Sequence, residues 1–343
     1  MERDFGTPRT TTAQSVKDLF LFRNSDQPDT FETVFPPCSV AGPPYNLRAY
    51  GGSSLCTAVA AVHKTVRSNY RIFSVQGNFL SPASTLKPLI CRVRRLRDTK
   101  AFATRAVDVL QKQKDGSERV CLSLLADFQV PKAAHDPEVY KYDARPAFLY
   151  SPPDKCVNIE DQFASAIKLK ELPGDYHEYY ERNYAVFCRS YDRRLAPEGL
   201  TYQRMVGHRQ HVRTHQDDLD MQDRRSAEWI RTKVDIDCPG GHFAAMAFQM
   251  DMPSSVVPII HSERAEDSDV FGASVEFSLR FFSNDVRPEQ WHLKEAKSTV
   301  AAEGRTFGET YVWDDQGRTV AHMSQQCVAR KGKSNPKGVS AKL

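Results

Sequence analysis

The chain has 343 residues, a net charge of +4 and 26% charged residues. That length holds two core-bearing units or one large fused one. Near-balanced acids and bases argue against a nucleic-acid binder, which needs a concentrated basic face, but allow a local basic rim around a small anionic ligand. The eight cysteines are scattered, with no C-x-x-C pair, so neither a disulfide framework nor a zinc knuckle is expected. Met1-Glu2-Arg3-Asp4 is charged where a secretory leader would be apolar, and no apolar run is long enough to span a bilayer. These features predict a soluble protein of a reducing, intracellular compartment.

Residues 1–14 read as a flexible arm, and Val16 to Phe22 as a short amphipathic stretch packed on the first unit. Pro36-Pro37 and Pro43-Pro44 mark loop. Tyr50-Gly51-Gly52 opens a predicted helix over Ser53 to Val66, with Leu55, Val59, Val62 and Val66 on one stripe. Strands are predicted over Ile72 to Leu80, Leu89 to Leu96, Phe102 to Gln111 and, after a turn at Asp115-Gly116, Val120 to Val130. Residues 131–175 are rich in Pro, Asp and Lys and read as a long connection. Strand character is expected from Tyr176 to Tyr180 and Ala185 to Ser190, then a polar surface insertion over 196–225, then a strand over Glu228 to Val234. His208, His211 and His215 invite a metal reading, but their Arg- and Gln-rich setting favours a solvated loop, so no metal and no cofactor are expected.

The first pattern then recurs. Gly240-Gly241 opens an Ala-rich apolar run through Asp251, and strands follow over Ser274 to Phe282, Trp291 to Ala302, Phe307 to Trp313 and Thr319 to Arg330. The turn at Asp315-Gln316-Gly317 echoes Asp115-Gly116. This is a diverged internal duplication of a helix-plus-sheet unit. Side by side, two such units would share one antiparallel sheet and leave fewer exposed edges.

Short blocks in fixed order carry a resemblance. They are Gly51-Gly52, the run Phe73 to Pro82, Lys87-Pro88-Leu89-Ile90, Leu96-Arg97-Asp98, Phe102 to Arg105, and Ala126-Asp127-Phe128-Gln129. Together they resemble the acyl-CoA thioesterase II family, over residues 15–132 and more loosely over 228–330. The resemblance implies an α+β double hotdog, two helix-wrapped antiparallel sheets fused side by side in one chain. The implied domains are a flexible arm over 1–14, an N-terminal hotdog over 15–132 and a linker over 133–175. A C-terminal hotdog over 176–330 carries the insertion 196–225, and a flexible tail over 331–343 ends the chain.

The resemblance further implies hydrolysis of acyl-CoA thioesters, in fatty acid metabolism or specialised metabolite biosynthesis, by a homo-oligomer. The water would be activated by a carboxylate, a hydroxyl and a glutamine. In that family the carboxylate lies in a strand of the form small-x-aliphatic-Asp, which places it here at Glu276, a departure from Asp. The hydroxyl falls at Thr299, with Ser298 as fallback, and the glutamine at Gln325. Gly51, Gly52, Gly240 and Gly241 suit close backbone approach to substrate at helix N-termini. Two alternatives are an acyl-CoA-binding protein with impaired catalysis and a hotdog enoyl-CoA hydratase or dehydratase. The latter's Asp and His pairing follows neither Gly-Gly helix.

The last residues, Ala341-Lys342-Leu343, fit the small–basic–Leu pattern read by the peroxisomal import receptor. Removing Leu343 is expected to leave the protein cytosolic under fluorescence microscopy. Persistent punctate peroxisomal signal, without a co-imported partner, would discount the address.

Overall fold

The computed structural model describes residues 12–23, 25–42, 46–131, 140–204, 209, 212–262 and 270–331. The targeting tripeptide lies outside them, as do His208 and His211. Two short strands, β1 (Phe22–Arg23) and β2 (Thr30–Thr33), precede helix α1 (Gly51–His63). The first unit continues with β3 (Arg71–Phe79), β4 (Ile90–Asp98), β5 (Phe102–Lys112) and β6 (Glu118–Gln129). Then come β7 (Val157–Asn158), α2 (Ile159–Lys168), α3 (Tyr176–Asn183), α4 (Ala185–Ser190), β8 (Tyr191–Leu195) and α5 (Leu200–Gln203). The second unit holds β9 (Ser226–Thr232), α6 (Pro239–Met250), α7 (Pro253–His261), β10 (Val270–Phe281), β11 (His292–Ala302), β12 (Arg305–Asp314) and β13 (Thr319–Lys331). No helix among the described residues is long and apolar enough to cross a membrane.

The strands form one sheet in the order β1-β2-β4-β5-β6-β3-β10-β13-β12-β11-β9-β8-β7. Read outward from the β3–β10 seam, β6-β5-β4-β2 on one side mirrors β13-β12-β11-β9 on the other. The duplication is thus a pseudo-twofold about the seam, and the architecture is the double hotdog that the resemblance implies. Each half wraps one apolar helix, and the two helices pack on each other in a shared core. Gly52 to Val62 are all buried, so α1 is apolar all round rather than on one stripe, as an enclosed helix must be.

At the seam Phe277 pairs with Gly77. A Cβ at Gly77 would lie 2.6 Å from the Leu124 Cβ and 2.7 Å from the Ser123 carbonyl oxygen. Glycine there lets the Phe277 ring lie across the junction and meet Phe79 at 5.5 Å.

Three stretches differ from expectation. Tyr176 to Tyr180 and Ala185 to Ser190 are helices α3 and α4, not strands. Tyr176 and Tyr180, one helical turn apart, are buried against Phe163 of α2, and this packing outweighs the β-preference of tyrosine. Residues 131–175, expected to be plain connection, contain α2, started by the Asn158 side chain accepting from the Glu160 N–H at 2.8 Å. The polar stretch 196–225 is exposed in part, at 212, 213 and 220–223 among others, but two of its arginines are buried. Arg204 is fully buried, its Nη1 donating to the carbonyls of Ile260, His261 and Ser262 at the C-terminal end of α7. Arg224 also donates to the His261 carbonyl, at 2.8 Å. Two guanidinium groups at that helix end satisfy carbonyls that lack intrahelical partners and complement the helix dipole.

Gly77→Ala is expected to lower stability by about 1–3 kcal/mol through overpacking at the seam, measured as a lower urea midpoint at unchanged slope.

Candidate functional site

α1 and α6 pack antiparallel, so the N-terminus of one faces the C-terminus of the other. A Cβ at Gly51 would lie 2.6 Å from Asp251 Oδ2, and one at Gly52 would lie 2.5 Å from the Phe248 carbonyl oxygen. The glycines therefore permit the close approach of α1 to the end of α6. The Tyr50 hydroxyl donates to that same carbonyl at 2.8 Å and ties the two helix ends together. Asp251 is the C-cap of α6 and retains helical backbone angles. Pro253 starts α7 immediately afterwards, where its missing N–H costs nothing.

Asp251 is 4% exposed. Gln325 Nε2 donates to its Oδ1 at 2.6 Å. The Gly52 backbone N–H and the Ser274 hydroxyl also hydrogen-bond its carboxylate. Burial pushes the Asp251 pKa up to about 6, and the three donors hold it from rising further. The positive end of α1 acts in the same direction as those donors. The outcome is a carboxylate that is mostly ionised at neutral pH yet retains appreciable basicity.

The structure corrects the expected triad. Gln325 is brought to a carboxylate, but that carboxylate is Asp251 and not Glu276. Gln325 pairs with Phe277, whereas Glu276 pairs with Gln326, so Glu276 and Gln325 point to opposite faces of the sheet. A bulge at Val275, between Ser274 and Glu276, resets the alternation. Ser274, paired with Cys327, therefore falls on the Gln325 face. Thr299 is itself a bulge residue between Ser298 and Val300. Its buried Oγ1 has no hydrogen-bond partner among the described residues. The fallback, Ser298, shares a cross-sheet row with Gly308 and Gln325 but sits two strands from Gln325.

Gly51 and Gly52 lie at the carboxylate. Gly240 and Gly241 do not. They open α6, about 16 Å along its axis from Asp251. Gly240 there faces His63, at the C-terminal end of α1. His63 occupies the pseudo-twofold counterpart of the Asp251 junction, and it stacks on Phe243 at 5.5 Å. Burial lowers its pKa to about 4, so the second junction carries a neutral imidazole and no acid. Of the three histidines weighed for metal binding, His215 is described, with Gln203 Nε2 at 2.8 Å from its Nδ1.

One sequence signal could have found Asp251. Cys238 to Met250 contains no Asp, Glu, Lys or Arg, and an acid then ends the run. A lone carboxylate closing an apolar helix must be buried or satisfied by specific donors.

Comparison with known proteins agrees with this fold. Residues 42–129 match the model of the acyl-CoA thioesterase N-terminal domain, and residues 187–329 that of the acyl-CoA thioesterase C-terminal domain. Among solved structures, the chain is similar to the acyl-CoA thioesterase II TesB2 of Mycobacterium marinum at 19% identity. That match has a TM-score of 0.64 and covers 94% of this chain and 100% of the other. It is also similar to a TesB protein of Mycobacterium avium subspecies paratuberculosis at 16% identity and TM-score 0.62, covering 92% and 98% of the two chains. A hot dog protein of unknown function from Alicyclobacillus acidocaldarius matches at 15% identity and TM-score 0.58, covering 93% and 98%.

The raised pKa has a stability consequence of definite sign. Asp251 ionises in the unfolded chain near 3.8 and in the folded chain near 6. Its contribution to stability is therefore full below the lower value and is lost as pH rises through the upper one. Asp251→Asn is expected to be more stable than wild type at pH 8, by on the order of 3 kcal/mol, and similar to it at pH 4. Thermal melts of both proteins at the two pH values check this.

Proposed function

This chain belongs to the acyl-CoA thioesterase family, and we propose that Asp251 is the general base by which it hydrolyses its thioester substrates. The observation that carries the assignment is the buried carboxylate held at once by Gln325, Ser274 and the Gly52 N–H, with a pKa near 6. A base works best when its pKa lies near the working pH.

Asp251 takes a proton from water while that oxygen forms a bond to the thioester carbonyl carbon. Gln325 gives its N–H to Asp251 Oδ1, and its buried Oε1 has no partner among the described residues. That oxygen accepts the second O–H of the water and fixes its direction of attack. The negative charge that develops on the carbonyl oxygen sits near the N-terminal end of α1, where the helix dipole favours it. The C–S bond then breaks and the coenzyme A sulfur leaves as thiolate. Protonated Asp251, near pKa 6, is more acidic than an ordinary thiol near 8.5 and returns its proton to that sulfur. Water, one C–O bond made and one C–S bond broken account for the free acid and the free thiol.

Glu276 stays outside this chemistry, on the opposite sheet face. The C-terminal Ala341-Lys342-Leu343 supports a peroxisomal setting, and the pseudo-twofold sheet is compatible with the homo-oligomer that the resemblance implies.

Thiol release from decanoyl-CoA tests the assignment. Asp251→Asn is expected to lower kcat by roughly 100-fold or more, in line with loss of a general base, and Glu276→Gln to leave it near wild type. The wild-type rate should fall with a single-proton acid limb centred near pH 6, the pKa of Asp251. A Glu276→Gln loss as large as that of Asp251→Asn would overturn the assignment.

A further inference from the structure

Beyond Asp251, the inner face of the second unit carries polar side chains among apolar ones such as Phe277, Leu279 and Met323. Gln325, Gly308 and Ser298 form one row across β13, β12 and β11, and Met323, Thr310, Ala296 and Ser226 form the next. The end of α6 runs over these rows. Gln325 holds Asp251 at 2.6 Å, and Lys294, one row beyond Thr310, donates from Nζ to the Gln249 carbonyl at 3.4 Å. Thr310 therefore lies beneath the segment from Gln249 to Asp251. Helix α7 packs on β11 and β12, and His261 at its end reaches the next strand, with Nε2 at 3.1 Å from the Ser226 hydroxyl of β9.

Thr310 and His261 are 0% exposed and Gln249 is 3% exposed. Thr310 Oγ1, Gln249 Oε1 and His261 Nδ1 nonetheless have no hydrogen-bond partner among the described residues. Buried polar atoms are nearly always paired, and leaving one unpaired forfeits more than a hydrogen bond gains. Three such atoms, on one face of the sheet and the two helices that cover it, call for polar partners that the described residues do not supply. The Gln249 oxygen can only accept, and the Thr310 hydroxyl both accepts and donates. His261 is held neutral by burial, which lowers its pKa to about 3, so a ring nitrogen is available as an acceptor. The neighbouring charges are already paired, Lys294 with Glu228 at 2.6 Å and Glu228 with Arg193 at 2.7 Å.

We propose that this face recognises a hydroxyl group on the acyl chain, so that the preferred substrate is a hydroxylated acyl thioester rather than a saturated one. Thr310 is one strand across and two residues along from Gln325, which is roughly 8 Å and about five or six carbons beyond the thioester. The position of the thioester rests on the assignment of Asp251. The hydroxyl site itself stands on Thr310, Gln249 and His261.

Two assays separate these elements. Wild type is expected to hydrolyse decanoyl-CoA hydroxylated near mid-chain with kcat/KM about ten-fold or more above that for decanoyl-CoA, as expected of a buried site built to hydrogen-bond a hydroxyl. Thr310→Val, isosteric and checked for an unchanged melting temperature, should erase that preference while decanoyl-CoA turnover stays within about two-fold, since only the hydroxyl contact is lost. Gln249→Met should weaken the preference in the same direction. Calorimetric binding of both esters to Asp251→Asn reads the preference without turnover. Equal or better use of decanoyl-CoA in both assays means the polar atoms hold water only, and overturns the proposal. So does a preference that survives in both variants. Tighter binding of the hydroxylated ester with no thiol released from either by wild type would sink the assignment of Asp251 and leave the hydroxyl site standing.

Discussion

The contact between the start of one central helix and the end of the other is the constraint on which the site depends. A carboxylate at a helix C-terminus faces the negative end of its own helix dipole, and burial adds a second penalty. Asp251 bears both because α1 brings an opposing positive end and a backbone N–H to it. Only glycine at position 51 allows that approach, since any Cβ would meet Oδ2. Gln325 and Ser274 supply the remaining donors from adjacent strands β13 and β10. The resulting balance leaves a base of intermediate strength, held at a cost to folding that falls in the same pH range as its ionisation.

Much of the architecture was legible because the duplication is strong at the level of pattern. Gly-Gly followed by an apolar helix, then four strands with a Gly turn before the last, occurs twice. Period-two alternation marked the long strands to within a few residues. The aromatic stretch Tyr176 to Tyr180 misled because tyrosine favours strands, while the deciding fact is burial of two tyrosines one helical turn apart. The stretch 196–225 reads as polar from composition alone. Arg204 and Arg224 are buried because the carbonyls at the end of α7 meet them, and that is a tertiary fact.

The site was legible in part. Of the residues expected from the sequence, Gln325 and Gly51-Gly52 lie at the Asp251 carboxylate. Asp251 and Ser274 escaped the sequence reading for different reasons. Asp251 ends helix α6 and lies in no strand, so strand alternation does not point to it. Unbroken alternation puts Ser274 and Glu276 on one face, and the bulge at Val275 separates them and turns Ser274 to the Gln325 face.

Two identical halves would carry two equivalent helix-end junctions, as in any isologous pairing. In this fused chain one junction holds Asp251 and the other His63 packed among Phe128 and Phe243. Joining the halves freed each end to specialise, one toward chemistry and one toward cohesion. The working junction draws Gly51 and Gly52 from the first half and its acid, hydroxyl and amide from the second. The Asp251 junction is thus a joint property of both repeats, and neither repeat severed from the other would retain all of its contacts.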